Sequence, residues 1–241
     1  MPAASAGGPI EAVIFDWGGT LAEYATIDLE DLWRLAARHL APERDLEVAS
    51  MLAAIEDSFW QRSSQDHRSW TLAELLAEAR TTIGADVAEA LLEEAGVLYL
   101  DAWTPHIRHE PDAQAVLEAL RSRGLRIGLL SNTHWPRAFH ERFLERDGLS
   151  GLIDARLYTS EMRHTKPHLE AFRAAMTAVG VDDPGTAVFV GDRPYDDVFG
   201  ARQAGMRTVL RHNPAVPVHD VDPDATIHCL SELIDHVDQW M

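Results

Sequence analysis

The stretch Ala12-Val-Ile-Phe-Asp-Trp-Gly-Gly-Thr-Leu21 decides how the rest of the 241-residue chain is interpreted. Four apolar residues, two of them β-branched, lead into a carboxylate and a pair of glycines. This pattern is typical of a buried strand that ends in a tight turn. In parallel α/β proteins, ligands bind beyond the carboxyl ends of the strands. Asp16 is therefore the first candidate for a functional residue.

The segment that follows this first strand predicts a block of helices. Residues 23–104 hold four stretches with amphipathic spacing, which are Leu29–Leu40, Leu46–Trp60, Thr71–Ile83 and Asp86–Leu100. Such spacing without an intervening β-rich run is typical of a helical unit. We therefore expect an inserted all-α cap domain over residues 23–104.

Strands and helices alternate after this block. The expected strands are Arg126–Leu130, Ala155–Tyr158, Ala187–Val190 and Arg207–Leu210, and the expected helices are Asp112–Arg123, Arg137–Glu145, one opened by Pro167, Asp197–Ala204 and Leu230–Val237. Alternation of this kind predicts an α/β fold with a Rossmann-like parallel sheet. We assign residues 10–22 and 105–241 to this core domain and residues 1–9 to a flexible N-terminus.

Composition limits the class of partner. The formal charge is −18, which disfavours nucleic acid and anionic lipid as ligands. No apolar run approaches the roughly 20 residues that cross a membrane, and the first residues lack the features of a leader peptide. A single cysteine, Cys229, fits a reducing compartment. We expect a cytoplasmic protein, monomeric or homodimeric, that binds a small molecule.

Four polar side chains stand at or just beyond strand ends, and together they suit phosphoryl transfer. Asp16 offers a nucleophile, Ser131 a hydroxyl for a phosphoryl oxygen, Lys166 a compact positive charge and Asp192 a second carboxylate for Mg²⁺. Lys166 is the only lysine among 21 basic residues. Its position before a helix gains nothing from the helix dipole, so chance is a poor explanation for it.

The motifs in order resemble those of the haloacid dehalogenase-like hydrolases. Phe15-Asp-Trp-Gly-Gly-Thr-Leu21 resembles the first motif, Leu129-Leu-Ser-Asn132 the second, Lys166-Pro167 the third and Val190-Gly-Asp192 through Asp197 the fourth. The likeness spans roughly residues 11–215, and the helical insert lies where the family's C1-type cap does. The resemblance implies Asp16 as nucleophile, an aspartyl-phosphate intermediate and Mg²⁺ as cofactor. The residues implied as Mg²⁺ ligands are Asp16, Gly18 (through its carbonyl), Asp192 and Asp197; those implied in phosphate binding are Gly18, Gly19, Thr20, Ser131, Asn132 and Lys166.

One position departs from the family pattern. Gly18 stands where the family has a second aspartate, which protonates the leaving group. Losing a general acid typically costs ~10²–10⁴-fold in rate. His134 and His164 are candidate replacements because histidine titrates near neutral pH, and His67 in the cap is a weaker one.

Three interpretations follow for the function. The leading one is a Mg²⁺-dependent phosphohydrolase of a small phosphorylated metabolite. A second is a catalytically weak or silent phosphate-binding protein on the same scaffold. A phosphonatase-like or dehalogenase-like enzyme is less favoured, since the cap has no lysine for a Schiff base and the acidic fourth motif is unlike that of dehalogenases.

Overall fold

A six-stranded, all-parallel sheet forms the centre of the protein. The computed structural model describes residues 8–83 and 87–241. The strands are β1 (Ala12–Phe15), β2 (Arg126–Ser131), β3 (Ala155–Tyr158), β4 (Ala187–Gly191), β5 (Arg207–Arg211) and β6 (Ala225–Ile227). They lie in the order β3-β2-β1-β4-β5-β6, and each neighbouring pair is parallel. This is the strand order of doubly wound folds, whose ligand crevice lies where the order reverses, beside β1.

Helices cover both faces of this sheet. Alternate residues of β1 enter different apolar cores, Val13 and Phe15 on one face and Ala12 and Ile14 on the other. The helices of the core are α5 (Ala113–Ser122), α6 (Arg137–Arg146), α7 (Leu169–Val179), α8 (Gly200–Gln203) and α9 (Leu233–Trp240). The predicted α/β fold with its parallel sheet is confirmed.

Four consecutive helices between β1 and α5 form the helical insert. They are α1 (Leu29–Leu40), α2 (Asp45–Asp66), α3 (Leu72–Ile83) and α4 (Glu89–Trp103). Asp28 caps α1 by accepting a hydrogen bond from the Glu30 amide at 2.9 Å. Trp33 of α1 stacks on Tyr99 of α4 at 3.8 Å, and both rings are fully buried. A buried aromatic pair therefore joins α1 to α4.

The structure differs from the sequence prediction at several boundaries. Helix α2 continues to Asp66, a turn and a half past the predicted end, and stops at His67 in the left-handed conformation (φ 55°). The predicted helix at Asp197 begins earlier, as a π-helical turn over Pro194–Phe199. Strand β6, which follows a proline-rich segment, was not predicted. It has only three residues, which is too short to show a recognisable hydrophobic pattern.

Part of the predicted chain lies outside the described residues. These are residues 1–7 of the expected N-terminal segment and Asp86 at the expected start of the fourth cap helix. Over residues 8–83 and 87–241, no helix combines the length and hydrophobicity that a membrane span needs.

Candidate active site

The carboxyl ends of β1 and β4 bring the first and fourth sequence motifs together. Phe15 and Val190 are register partners, and the Asp16 amide donates to the Val190 carbonyl at 2.8 Å. Asp16 follows β1 directly and Asp192 follows β4 directly. Both carboxylates are buried, at 5% and 1% exposure. The pairing of two predicted strands thus delivers two predicted site residues to one crevice.

Lys166 lies between two carboxylates in this crevice. Its Nζ donates to Asp16 Oδ1 at 2.6 Å and to Asp197 Oδ1 at 2.7 Å. The ammonium is buried, at 2% exposure for the residue. The Arg193 amide donates to the other oxygen of Asp197 at 2.9 Å, which fixes that carboxylate. A buried ion is stable only when its hydrogen bonds are satisfied in this way.

Asn132 holds Lys166 in place through the backbone. Its side-chain amide donates to the Lys166 carbonyl at 3.0 Å, and its Oδ1 accepts from the Lys166 amide at 2.8 Å. With both ends of the amide engaged, the observed role of Asn132 is to position the lysine. These two bonds leave one N–H of the amide group, and Asn132 lines the cavity, so its predicted phosphate contact stays a prediction.

The charges of the crevice are strongly coupled. Burial raises the pKa of the Asp16 carboxyl to about 7, although the Lys166 charge opposes the shift. Burial, together with the charge of Asp197, raises the pKa of Asp192 to about 6. Burial alone would lower the pKa of Lys166, but the charges of Asp16 and Asp197 outweigh it and hold that pKa above its ordinary value. The crevice thus carries an excess of negative charge that a bound cation would offset.

The carboxylates of Asp16, Asp192 and Asp197 fit a divalent cation. One oxygen from each lies within 4.8 Å of the others. Asp192 Oδ2 accepts from Asn213, but its Oδ1 is buried and has no hydrogen-bond partner among the described residues. A buried unpartnered carboxylate oxygen is costly unless a further ligand binds it. Carboxylate oxygens are ligands that hard divalent cations such as Mg²⁺ take.

Glycine is required at one position of the first motif and optional at another. A Cβ at Gly19, where φ is +83°, would lie 2.1 Å from Asp192 Oδ2, so only glycine lets the two loops approach. A Cβ at Gly18 would meet no heavy atom of the described residues within 4 Å, apart from its chain neighbours. The space for the family's missing aspartate is therefore open.

Three of the four remaining predicted phosphate ligands line the cavity at the crevice, and Thr20 does not. Ser131 ends β2 and, with Gly18 and Gly19, lines a cavity that also contains Asp16 and Lys166. Thr20 is fully buried. Its hydroxyl is buried without a hydrogen-bond partner among the residues that the structure describes.

The two histidines predicted as proton donors require correction. His164 lies outside the lining of the cavity, bonded to Glu170 at 2.8 Å and stacked on His168 at 3.7 Å. His134 does line the cavity, but burial lowers its pKa to about 3. It is therefore neutral at pH 7 and a poor general acid. His67, the weaker prediction, also lines the cavity.

Several residues that support the site were missed at the sequence level. Trp17 donates its indole N–H to His109 Nε2 at 3.1 Å, and His109 Nδ1 bonds to Asp147 at 2.6 Å. This chain fixes the ring next to the nucleophile. His109 and Asp147 are distant in sequence from the first motif and share no spacing with it, so no local signal marks them.

A second brace holds the turn after the nucleophile. Arg211 at the end of β5 donates to the Gly19 carbonyl and pairs with Glu110 at 2.6 Å. Glu110 in turn donates its amide to the Leu21 carbonyl at 2.9 Å. The turn of the first motif is therefore tied to two other parts of the core.

The crevice opens into a large cavity that the helical insert covers. Its volume is about 680 Å³. Six tryptophan and tyrosine side chains share its wall: Trp17, Tyr24, Trp60, Trp103, Trp135 and Tyr195. Glu56 of α2 also lines it. The site thus combines a charged crevice in the core with an aromatic chamber.

The fold and site together place a buried lysine among three carboxylates at the carboxyl end of a parallel sheet, next to a helical insert. A model of the haloacid dehalogenase-like hydrolases matches residues 10–205. The chain belongs to this family of hydrolases.

Individual relatives agree with this placement. The glyceraldehyde 3-phosphate phosphatase of Methanopyrus kandleri is 30% identical over 236 residues, covering 95% of this chain and 97% of the relative. The crystal structure of a 2-haloacid dehalogenase from Pseudomonas syringae pv. tomato DC3000 superposes with a TM-score of 0.73 at 28% identity, covering 96% of this chain and all of that one. The crystal structure of a HAD phosphatase from Thermococcus onnurineus superposes with a TM-score of 0.63 at 25% identity, covering 95% of this chain and 98% of that one.

Proposed function

We propose that the protein is a Mg²⁺-dependent phosphohydrolase that acts on a small phosphorylated metabolite through an aspartyl-phosphate at Asp16. The observation that carries the proposal is the buried Lys166 that joins Asp16 to Asp197, beside the unpartnered oxygen of Asp192. A positive charge and a metal site around one carboxylate suit phosphoryl transfer, which depends on positioning and charge compensation. The phosphatase named in Methanopyrus kandleri, which matches nearly the whole chain, supports the same reaction class.

Mg²⁺ would be held by Asp16, Asp192, Asp197 and the Gly18 carbonyl. When bound, it would neutralise negative charge on the phosphoryl oxygens and favour the ionised form of Asp16. The carboxylates are close enough together to share one ion. We expect loss of activity with EDTA and recovery with added Mg²⁺.

The protein's own side chains supply the remaining steps. Asp16 Oδ attacks phosphorus, the P–O bond to the alcohol breaks, and the Asp16 acyl phosphate is then hydrolysed by water. Lys166 and the Ser131 hydroxyl bind phosphoryl oxygens, and Asn132 keeps Lys166 in position. Trp17, held by His109, lines the cavity next to the nucleophile.

The first motif supplies no proton to the leaving group. Gly18 has no side chain, and neutral His134 is poorly suited to donate one. We therefore expect leaving groups that depart easily, such as acyl phosphates, to react faster than simple alkyl phosphates.

A screen of phosphorylated metabolites with and without Mg²⁺ tests the function. Release of inorganic phosphate that requires Mg²⁺ and disappears in Asp16→Asn supports the proposal. Absence of turnover, combined with absence of binding of a phosphate analogue, favours the silent alternative on this scaffold.

Dehalogenation is a second candidate because the superposed Pseudomonas syringae structure is named as a 2-haloacid dehalogenase. A halide leaves without a proton, so the glycine at position 18 does not oppose this reaction. The cluster of Asp16, Asp192 and Asp197 favours the metal-dependent phosphatase instead. Halide release from 2-chloropropionate without Mg²⁺ would favour dehalogenation over phosphate hydrolysis.

The domain limits and cellular location belong to the same proposal. Residues 10–22 and 105–241 form the catalytic core, residues 23–104 form the cap, and the protein acts in the cytoplasm. The single cysteine, Cys229, is exposed and free.

A further inference from the structure

Glu56 is a buried carboxyl in the wall of the catalytic cavity. It lies on α2 in the cap, at 2% exposure. Its Oε2 accepts from Trp33 Nε1 at 2.8 Å, and its Oε1 accepts from the Tyr99 hydroxyl at 3.0 Å. Both donors are neutral and belong to the cap core. The carboxyl is thus held rigidly in one orientation.

This carboxyl has no cation to balance its charge. Among the residues described, Glu56 pairs with no lysine or arginine, and the nearest basic nitrogen is His134 Nε2, 3.7 Å from Oε1. His134 is neutral at pH 7 because burial lowers its pKa. Burial raises the pKa of Glu56 to about 7, opposed by hydrogen bonds from Trp33, Tyr99 and Trp60. An uncompensated carboxyl in a cap core is destabilising, which is expected where a ligand supplies the missing charge.

The surroundings of Glu56 suit an organic cation. Trp60, Trp103 and Trp135 line the same cavity, and indole faces attract ammonium groups. The overall charge of −18 favours a ligand with a positive end. The core wall of the same cavity holds Lys166, which suits a phosphoryl group. One cavity therefore offers a site for each end of a zwitterion.

We propose that Glu56 and the tryptophans around it bind an ammonium group on the alcohol part of the substrate. The substrates are then phosphorylated compounds whose leaving group carries an ammonium. The inference rests on the proposed function for the phosphoryl end. Glu56 acts here as a specificity determinant that contacts substrate, and it takes no part in bond breaking.

Binding of non-hydrolysable analogues tests the site without requiring turnover. The probes are ω-aminoalkyl phosphonates with two to six carbons, each compared with the alkyl phosphonate of equal length. Quenching of tryptophan fluorescence reports binding, since four indoles line the chamber. We expect the ammonium to tighten Kd by about tenfold or more at the best length, the magnitude of a charge-assisted contact.

Two glutamine variants connect the preference to Glu56. In Glu56→Gln the ratio of the two Kd values should fall towards one. Glu47→Gln changes an exposed glutamate of the same helix, which pairs with Arg44, and should keep the wild-type ratio. Equal Kd values at every length in wild type would overturn the inference, as would a ratio that survives Glu56→Gln. If Glu56→Gln fails to fold, the ratio of the two Kd values in wild type still tests whether the cavity prefers an ammonium.

Hydrolysis of the matching esters separates this inference from the proposed function. Ammonium-selective binding without Mg²⁺-dependent phosphate release would support the ammonium site at Glu56 and contradict the proposed phosphatase function. Phosphate release from alkyl and aminoalkyl esters with equal kcat/KM would keep the phosphatase and reject the site. Preferred binding of phenylalkyl over aminoalkyl phosphonates would also reject it, in favour of an aromatic leaving group.

Discussion

Gly18→Asp tests whether the missing carboxyl limits the reaction. A Cβ at this position has no heavy atom of the described residues within 4 Å, its chain neighbours aside, and Gly18 lines the cavity beside Asp16. The new side chain should therefore be accommodated without displacing the strand. It would place a carboxyl two residues after the nucleophile, where the family has one.

The expected gain follows from what general acid catalysis contributes. Proton transfer by a positioned side chain gives ~10²–10⁴-fold, or about 3–5 kcal/mol in activation free energy. We expect a gain of this order in kcat/KM for alkyl phosphates, which release a strongly basic alkoxide. Acetyl phosphate should gain little, because acetate departs without a proton.

Steady-state kinetics on propyl phosphate and acetyl phosphate measure the difference, with Gly18→Asn as a matched control that adds similar bulk but no acid. The reasoning is refuted if Gly18→Asp gains no more on propyl phosphate than Gly18→Asn does. It is also refuted if both substrates gain equally, since that would indicate better metal binding and not proton donation.

Three further changes have defined outcomes. Lys166→Met removes the ammonium from two buried carboxylates. We expect kcat, measured by phosphate release at saturating Mg²⁺, to fall by ~10²–10³-fold or more. Activity within tenfold of wild type would contradict the proposed role of Lys166 in binding the phosphoryl group. The pKa of Glu56 is about 7 in the folded protein against an ordinary 4.5. Its contribution to the unfolding free energy is therefore fully present below pH 4.5, where the carboxyl is protonated in both states, and is lost as pH rises through 7. At 1.36 kcal/mol per pKa unit the loss is roughly 3 kcal/mol. The unfolding free energy of Glu56→Gln, measured by urea denaturation, should therefore rise by about that much relative to wild type between pH 4.5 and pH 8. A difference between the two proteins that does not change with pH would contradict the raised pKa of Glu56. His109→Ala frees the indole N–H of Trp17 and should cost about 1–3 kcal/mol in unfolding free energy, and an unchanged urea midpoint would show that the bond contributes nothing.

Local sequence patterns predict most of the core. Strand β1 and the helix α1 are found at their predicted boundaries because hydrophobic periodicity acts within a few residues. Asp16, Lys166 and Asp192 meet as expected, since parallel strands bring their carboxyl ends to one edge.

Long-range contacts explain what the sequence does not reveal. His164 stands two residues before Lys166, yet its ring bonds to Glu170 outside the cavity, and position along the chain does not show this. Glu56 resembles any helix-surface glutamate until α4 and the loop after β2 close over it. His134 looks like a proton donor until burial lowers its pKa.

Trapping the intermediate tests the central claim most directly. The protein is incubated with Mg²⁺ and acetyl phosphate, quenched in acid and mapped by peptide mass spectrometry. The account predicts one added phosphoryl group on the peptide that contains Asp16, dependent on Mg²⁺ and absent from Asp16→Asn. A phosphoryl group on another residue, or phosphate release that persists in Asp16→Asn, would contradict it.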